Sequence, residues 1–177
     1  MYPLSAARRR ILVMGLPGAG KTTFARLLAP RLHAVLFNAD EVRANLWRDL
    51  GFSHEDRVEH ARRMGWACDR IVEAGGVVIA DFVCPTEATR AAFGGAFTIW
   101  IDRIDAGRFE DTNRMFVAPS RFDLRVNPLG TPEFWVEETL AALESKSARR
   151  NVGRRLASES LLVGRRRRKS QTAVEAK

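Results

Sequence analysis

Apolar positions along the chain fall into short unbroken runs, separated by longer stretches in which they recur every three or four residues. The runs are Ile11-Leu12-Val13-Met14, Ala34-Val35-Leu36-Phe37, Gly76-Val77-Val78-Ile79-Ala80-Asp81 and Phe97-Thr98-Ile99-Trp100-Ile101-Asp102. Runs dominated by about four apolar residues suit a parallel strand covered on both faces, so each run predicts such a strand. Between the second and third runs, Val58, Ala61, Met64, Ala67, Cys68, Ile71 and Val72 recur at helical spacing. Ser53-His54-Glu55-Asp56 precedes them as an N-cap with a reciprocal acid, and Gly75-Gly76 ends them. A shorter helix is expected over Ala39 to Leu50. Thr131-Pro132-Glu133 supplies a cap, a first-turn proline and an acid suited to the helix dipole, which predicts a last helix from Pro132 to about Arg149.

Strands alternating with helices predict an α/β domain of three layers around a central parallel sheet. The stretch from Asp105 to Leu129 shows no sustained period. It mixes Arg108, Arg114, Arg121 and Arg125 with Phe109, Phe116 and Phe122, and is read as a lid-like insertion. With 177 residues, 46% of them hydrophobic, the chain suffices for one full core. The expected division is a catalytic domain over residues 1–150 and a basic, disordered tail over 151–177.

Charge supports that division. The net charge is +8, yet residues 145–177 hold eleven Lys/Arg against Glu159 and Glu175, a net +9, which leaves about −1 on the rest. The block Arg165 to Lys169 can attract phosphate backbones, which keeps a nucleic-acid partner open, or it can be a solvated end without a dedicated partner. No apolar run reaches the roughly 20 residues that cross a bilayer. Cys68 and Cys84 lack metal-site spacing and are read as reduced thiols. A soluble, cytoplasmic protein without membrane contact is expected.

The chemistry is concentrated after the first run. Gly15-Leu16-Pro17-Gly18-Ala19-Gly20-Lys21-Thr22 satisfies G-x-x-x-x-G-K-[ST] between a predicted strand and a predicted helix, which predicts a P-loop kinase or NTPase fold. In such a loop the backbone of Gly15, Gly18, Ala19, Gly20 and the following Lys21, Thr22 and Thr23 wraps the phosphates of a nucleoside triphosphate. Lys21 reaches the outer phosphates and Thr22 offers a hydroxyl to Mg²⁺. Phosphoryl transfer also requires a carboxylate at a strand's carboxyl end. Asp81 ends the third run as a metal-holding acid would. Asp40, just past the second strand, is a candidate for metal contact or for orienting the acceptor hydroxyl, and also for a simple helix cap.

Phe37-Asn38-Ala39-Asp40-Glu41-Val42-Arg43, then Leu50-Gly51-Phe52-Ser53 with Asp56-Arg57, Glu59 and Arg62-Arg63, resembles the adenylyl-sulfate kinases, whose signature runs approximately DGDNxR, LGFSxxDRxENxRR. With the phosphate loop the resemblance spans about residues 11–93. It implies that Asp40 acts at the acceptor hydroxyl and metal, that Arg43 and Arg57 bind charged groups of the acceptor, and that Phe52 stacks on its base. It also implies a homodimer. Read from spacing alone, the two arginines are equally solvated helix charges and Phe52 equally a core residue. Three positions depart from the family: Asn38 replaces its first acid, His60 replaces the asparagine of ENxRR, and Cys84 replaces a serine. The family's RDxKGLYxKA lid is missing after Ile101. His60 is therefore read as a histidine on the helix surface, or as a polar contact to a different acceptor. Among the lid arginines Arg114 is the first candidate for transition-state charge, because helical spacing sets Glu110 and Asp111 beside it.

These residues predict a kinase that moves the γ-phosphoryl group of ATP·Mg²⁺ onto a hydroxyl of a nucleotide-like acceptor. The family resemblance implies adenylyl-sulfate. The altered lid and basic tail keep open another hydroxyl, of a nucleoside or a hydroxymethylated base in DNA. Asn38 and Cys84 keep open a nucleotide-binding regulatory module without turnover.

Overall fold

The structure is a computed structural model, and it describes residues 9–145. Strands β1 (Arg10–Met14), β2 (Val35–Asn38), β3 (Val78–Asp81), β4 (Phe97–Ile101) and β5 (Leu124–Val126) form one sheet, all parallel, in the order β2-β3-β1-β4-β5. The helices between them are α1 (Lys21–Leu32), α2 (Ala39–Asn45), α3 (His54–Glu73), α4 (Glu87–Phe93) and α5 (Glu110–Met115). Residues 132–145 form α6.

The alternation of the strands divides the core in two. Ile11 and Val13 of β1, Ile79 of β3 and Ile99 of β4 face one way and pack with Phe24 and Leu28 of α1 and Val136 and Leu143 of α6. Leu12 and Met14, with Val78 and Ala80, face the other way and pack with Met64 and Cys68 of α3, Phe82, and Phe93 of α4. Both faces are covered, which is why the strands read as unbroken apolar runs. The expected three layers are present.

Some boundaries shift. The cap of α2 is Asn38, not Asp40, which lies inside the helix, and the helix ends at Asn45, before the expected Leu50. Ser53 Oγ accepts the N–H of Asp56 and starts α3 at His54. Thr131 Oγ1 accepts the N–H of Phe134 at the head of α6. The expected end at Arg149 lies outside the described residues, as does the 151–177 tail with its Arg165 to Lys169 block. The segment read as a lid is corrected in its second half: Leu124, Arg125 and Val126 pair in parallel with Ile99, Trp100 and Ile101 and extend the sheet. Only Asp105 to about Val117 overhangs the cleft described below. Among the described residues no helix is long and apolar enough to cross a membrane.

At the N-terminal end of the sheet Arg10, only 8% exposed, threads between helices. It donates to Asp69 of α3 at 2.6 Å, and its guanidinium lies 4.3 Å from the Phe93 ring centre at the end of α4. Gly65 of α3 lies so close to the Phe93 carbonyl that a Cβ there would overlap it.

Candidate active site

Parallel register assembles the site at the carboxyl ends of the strands. Asn38 at the end of β2 and Val13 near the end of β1 both lie opposite Asp81, the last residue of β3. β1 then enters the glycine loop. Gly15 has φ +146°, and a Cβ there would overlap the carbonyl of Ile101, so the loop can leave the strand only through a glycine. Gly20 caps α1 in the left-handed conformation with no side chain in the way, which leaves the first-turn N–H groups directed at a ligand. Ala19 is buried, and its N–H is taken by the Leu16 carbonyl at 3.2 Å. Gly18 and Thr23 are exposed at the loop's surface.

Lys21 is buried, and its Nζ donates to the Leu16 carbonyl at 3.0 Å across the loop. Burial lowers its pKa; Asp81 and Asp40 oppose that shift, and nearby Arg108 adds to it. Thr22 Oγ1 donates to Asp81 Oδ2 at 2.6 Å. Asn38 Nδ2 donates to the same Oδ2 at 2.8 Å, and Asn38 Oδ1 accepts the N–H groups of Asp40 and Glu41, each at 3.1 Å. The neutral amide that replaces the family's acid thus has two tasks: its oxygen caps α2, and its nitrogen holds the metal-side carboxylate. Burial raises the Asp81 pKa, and its hydrogen bonds with Thr22 and Asn38 pull it back. Its other oxygen, Oδ1, is buried without a hydrogen-bond partner.

These groups open into a cavity of about 550 Å³. Lys21, Thr22, Asp81 and Asp40 form its floor, Phe52 and Arg57 one wall, and Arg108, Phe109, Asp111 and Thr112 the other. Phe52 is 64% exposed, which excludes the core reading of that residue. A smaller space of about 50 Å³ continues past Asp40 and Arg57 to Arg43, His60 and Cys84. Asp40 lies between the two spaces and lines both.

Arg43 and Arg57 are neither free surface charges nor free anion forks. Arg43 donates to the carbonyls of Leu50 and Gly51, and Arg57 Nε donates to the carbonyl of Phe52 at 2.9 Å. Their guanidinium carbons lie 4.8 and 5.6 Å from the Phe52 ring centre, so the pair fixes the loop that presents that ring. Arg57 Nη2 also reaches Asp111 and Thr112 across the cleft at 3.4 Å.

Two expectations are corrected. His60 is not on the helix surface: it is 3% exposed, with Trp47 and Phe82 edge-on to it, and its Nε2 is buried without a partner. Burial, with Arg43 and Arg63 nearby, pushes its pKa down to about 4, so the ring is neutral at pH 7. Arg114 does point back to Glu110 as its spacing suggests, but it is solvent-facing and outside the lining of the cavity. Arg108 is the lid arginine that lines it. Helical spacing ranked Arg114 first of the four arginines and gave no reason to prefer Arg108; Phe109 and Thr112 carried no signal either. Cys84, with φ +46°, is buried, and burial pushes its thiol up to about 12.

The oxygen-rich floor suits magnesium, a hard cation that takes few protein ligands and keeps water and phosphate oxygens for the rest. Thr22 Oγ1 and the unpartnered Asp81 Oδ1 fit that role. Among the described residues no group of three or more His, Cys, Asp or Glu offers an all-protein cage.

The same region carries the likeness to known proteins. The adenylyl-sulfate kinase of Shewanella baltica is 41% identical over 90 residues, 48% of this chain and 44% of that protein. The chain thus spans less than half the length of the curated relatives it matches. Among solved structures, the APS kinase CysC of Mycobacterium tuberculosis, solved with AMPPNP and APS, aligns with TM-score 0.68 at 23% identity, over 77% of this chain and 98% of that one. A hexameric APS kinase from Thiobacillus denitrificans aligns with TM-score 0.61 at 28% identity, over 78% of this chain and 30% of that one. The fold is that of the P-loop kinases. The sequence profile named adenylylsulphate kinase matches residues 8–98, just over half the chain, and with it the protein belongs to the adenylylsulphate kinase family.

Proposed function

We propose that the protein transfers the γ-phosphoryl group of ATP to a hydroxyl of adenylyl-sulfate, giving the 3′-phosphorylated product. The observation that carries this reading is the single cavity running from Lys21, Thr22 and Asp81 past Asp40 to Phe52 and Arg57. It has a phosphate-binding end, an acid in the middle and an aromatic face beside a guanidinium, in the order that donor, reacting hydroxyl and nucleotide acceptor require. Family membership supports the choice of acceptor.

In this mechanism the first-turn N–H groups of α1 and Lys21 Nζ, released from the Leu16 carbonyl, take the β- and γ-phosphate oxygens. Thr22 and Asp81 would hold magnesium, with Asn38 fixing the carboxylate. A bound metal would supply Lewis-acid charge neutralisation to the phosphates there. Asp40 accepts the proton of the acceptor hydroxyl as its oxygen bonds to the γ-phosphorus. The bond from that phosphorus to the β,γ-bridging oxygen breaks in line, and ADP leaves. Arg108 meets the charge on the transferring group. Phe52 and Phe109, exposed on opposite walls, offer two faces to a base, and Arg57 offers donors to the acceptor's anionic groups.

A coupled assay of ADP formation with adenylyl-sulfate, beside Lys21→Ala and Asp40→Asn, tests the reading. Turnover that disappears in both variants supports it. No transfer to adenylyl-sulfate, with transfer to a nucleoside or to hydroxymethylated DNA, replaces the acceptor and keeps the mechanism. Nucleotide binding without transfer to any of these hydroxyls sinks it. A homo-oligomer belongs to the same reading, and light scattering on the eluting protein tests it.

A further inference from the structure

The family profile ends at residue 98, so the segment that overhangs the cleft lies beyond it. Together with the two residues just before it, the segment approaches the phosphate loop at three points. Arg103 Nη1 would lie 3.4 Å from a Cβ on Gly20, Ile104 Cδ1 4.0 Å from one on Gly18, and a Cβ on Gly107 would lie 2.6 Å from the Pro17 carbonyl oxygen. Gly107 therefore packs against the Pro17 carbonyl too closely for a side chain at that position.

That glycine is held from the other side. Asn113 Oδ1 accepts the Gly107 N–H and Asn113 Nδ2 donates to the Gly107 carbonyl, both at 2.8 Å. One carboxamide thus saturates both polar groups of one residue and closes the turn that carries Arg108 and Phe109. Asn113 sits inside the short helix α5, where asparagine is a poor helix former and an alanine would be better. Helix formation does not explain the residue, but the turn does.

We propose that Asn113 is a positioning residue for phosphoryl transfer: its two-bond clasp on Gly107 holds the turn against the phosphate loop, so that Arg108 faces the cleft before nucleotide arrives. A cation already in place needs no reordering when charge develops on the transferring group. Asp111 and Thr112, two and one residues before Asn113, meet Arg57 from the opposite wall, so the clasp also sets where the cleft closes on the acceptor side. The proposal rests on the kinase reading above, but not on the identity of the acceptor.

The test is a double-mutant cycle on the full chain with Asn113→Ala, Arg108→Ala and the pair. Three quantities are read: kcat/KM with ATP·Mg²⁺ and adenylyl-sulfate, the Kd of AMPPNP·Mg²⁺ by calorimetry, and hydrogen exchange of the Gly107 amide. Removing two ordinary hydrogen bonds should lower kcat/KM about tenfold and speed Gly107 exchange by a similar factor. Asn113→Ala should cost almost nothing once Arg108 is gone. Asn113→Asp keeps the oxygen that accepts from Gly107 but sets a carboxylate oxygen against the Gly107 carbonyl, so it should lose at least as much as Asn113→Ala, and it replaces the alanine variant if that one does not fold. Additive losses, or wild-type turnover with Gly107 exchange released, overturn the proposal. If the wild type transfers nothing to adenylyl-sulfate, the acceptor reading falls alone and the cycle is read on AMPPNP affinity. Non-additive weakening there upholds the clasp, and affinity untouched by Asn113→Ala overturns it.

Discussion

Asn38→Asp separates the two tasks of the neutral amide at the end of β2. An aspartate keeps an oxygen for the N–H groups of Asp40 and Glu41, so the α2 cap survives. It removes the donor to Asp81 and puts a carboxylate oxygen where a nitrogen now lies 2.8 Å from Asp81 Oδ2. Losing a charge-assisted hydrogen bond costs about 1.5–3 kcal/mol. Two ionised carboxylates about 3 Å apart at an effective dielectric of about 20 repel by about 5 kcal/mol, and the pair avoids part of this by binding a proton. The pair's upper pKa is then raised in the folded state, so the native protein holds a proton the unfolded chain releases. Stability is present at low pH and lost as pH rises through that raised value. In metal-free urea unfolding the variant should therefore lie about 2 kcal/mol below wild type at pH 5 and about 4 kcal/mol below at pH 8. Excess Mg²⁺ should narrow the gap at pH 8. Asn38→Ala, which loses cap and donor without adding charge, should show a deficit that grows less with pH, because only the hydrogen bond that pulls the Asp81 pKa back is lost. An equal deficit for Asn38→Asp at both pH values, or one that grows on acidification, refutes the assignment of Asn38 as donor to Asp81.

His60 gives a second pH signature with the opposite sign. Its folded pKa of about 4 lies below the ordinary 6.5, so the unfolded chain takes up the proton first and stability is lost as pH falls from about 6.5 towards 4. The difference in unfolding free energy between wild type and His60→Phe should change by about 3 kcal/mol over that window, with Arg43 and Arg63 charged throughout; a flat difference would put the imidazole in contact with water. Arg57→Lys keeps the charge but not the fork shared by Phe52, Asp111 and Thr112. The acceptor KM should rise about tenfold with AMPPNP affinity unchanged, and equal weakening of both ligands would show that Arg57 serves the donor instead.

The strands were legible because a sheet covered on both faces writes unbroken apolar runs, and the phosphate loop because its glycines have fixed spacing. β5 was not. Three residues, one of them Arg125, make no pattern, and only pairing with β4 shows that they belong to the sheet. His60 was misread for a different reason. It stands four residues before Met64 and eight before Cys68, on the buried stripe of α3, but its polarity hid it from a reading that looked for apolar side chains. The family resemblance identified Arg43, Phe52 and Arg57 as a group, but could not show that both arginines also hold the loop that presents the ring. Arg108 and the Asn113 clasp depend on contacts between a turn and a helix, which leave no periodic trace.

Arg10 gives α3 a fulcrum. The helix is pinned to the sheet and to α4 at Gly65 and Asp69, while Arg57 and the loop carrying Phe52 sit at its other end. Eight residues of helix separate Gly65 from Arg57, about 12 Å of lever arm at 1.5 Å per residue. A tilt of about 5° at the pin then swings the acceptor wall by about 1 Å while the phosphate-binding floor stays still. The acceptor wall is thus carried on a stiff helix whose anchor is a side chain at the far end of the sheet, lining neither cavity.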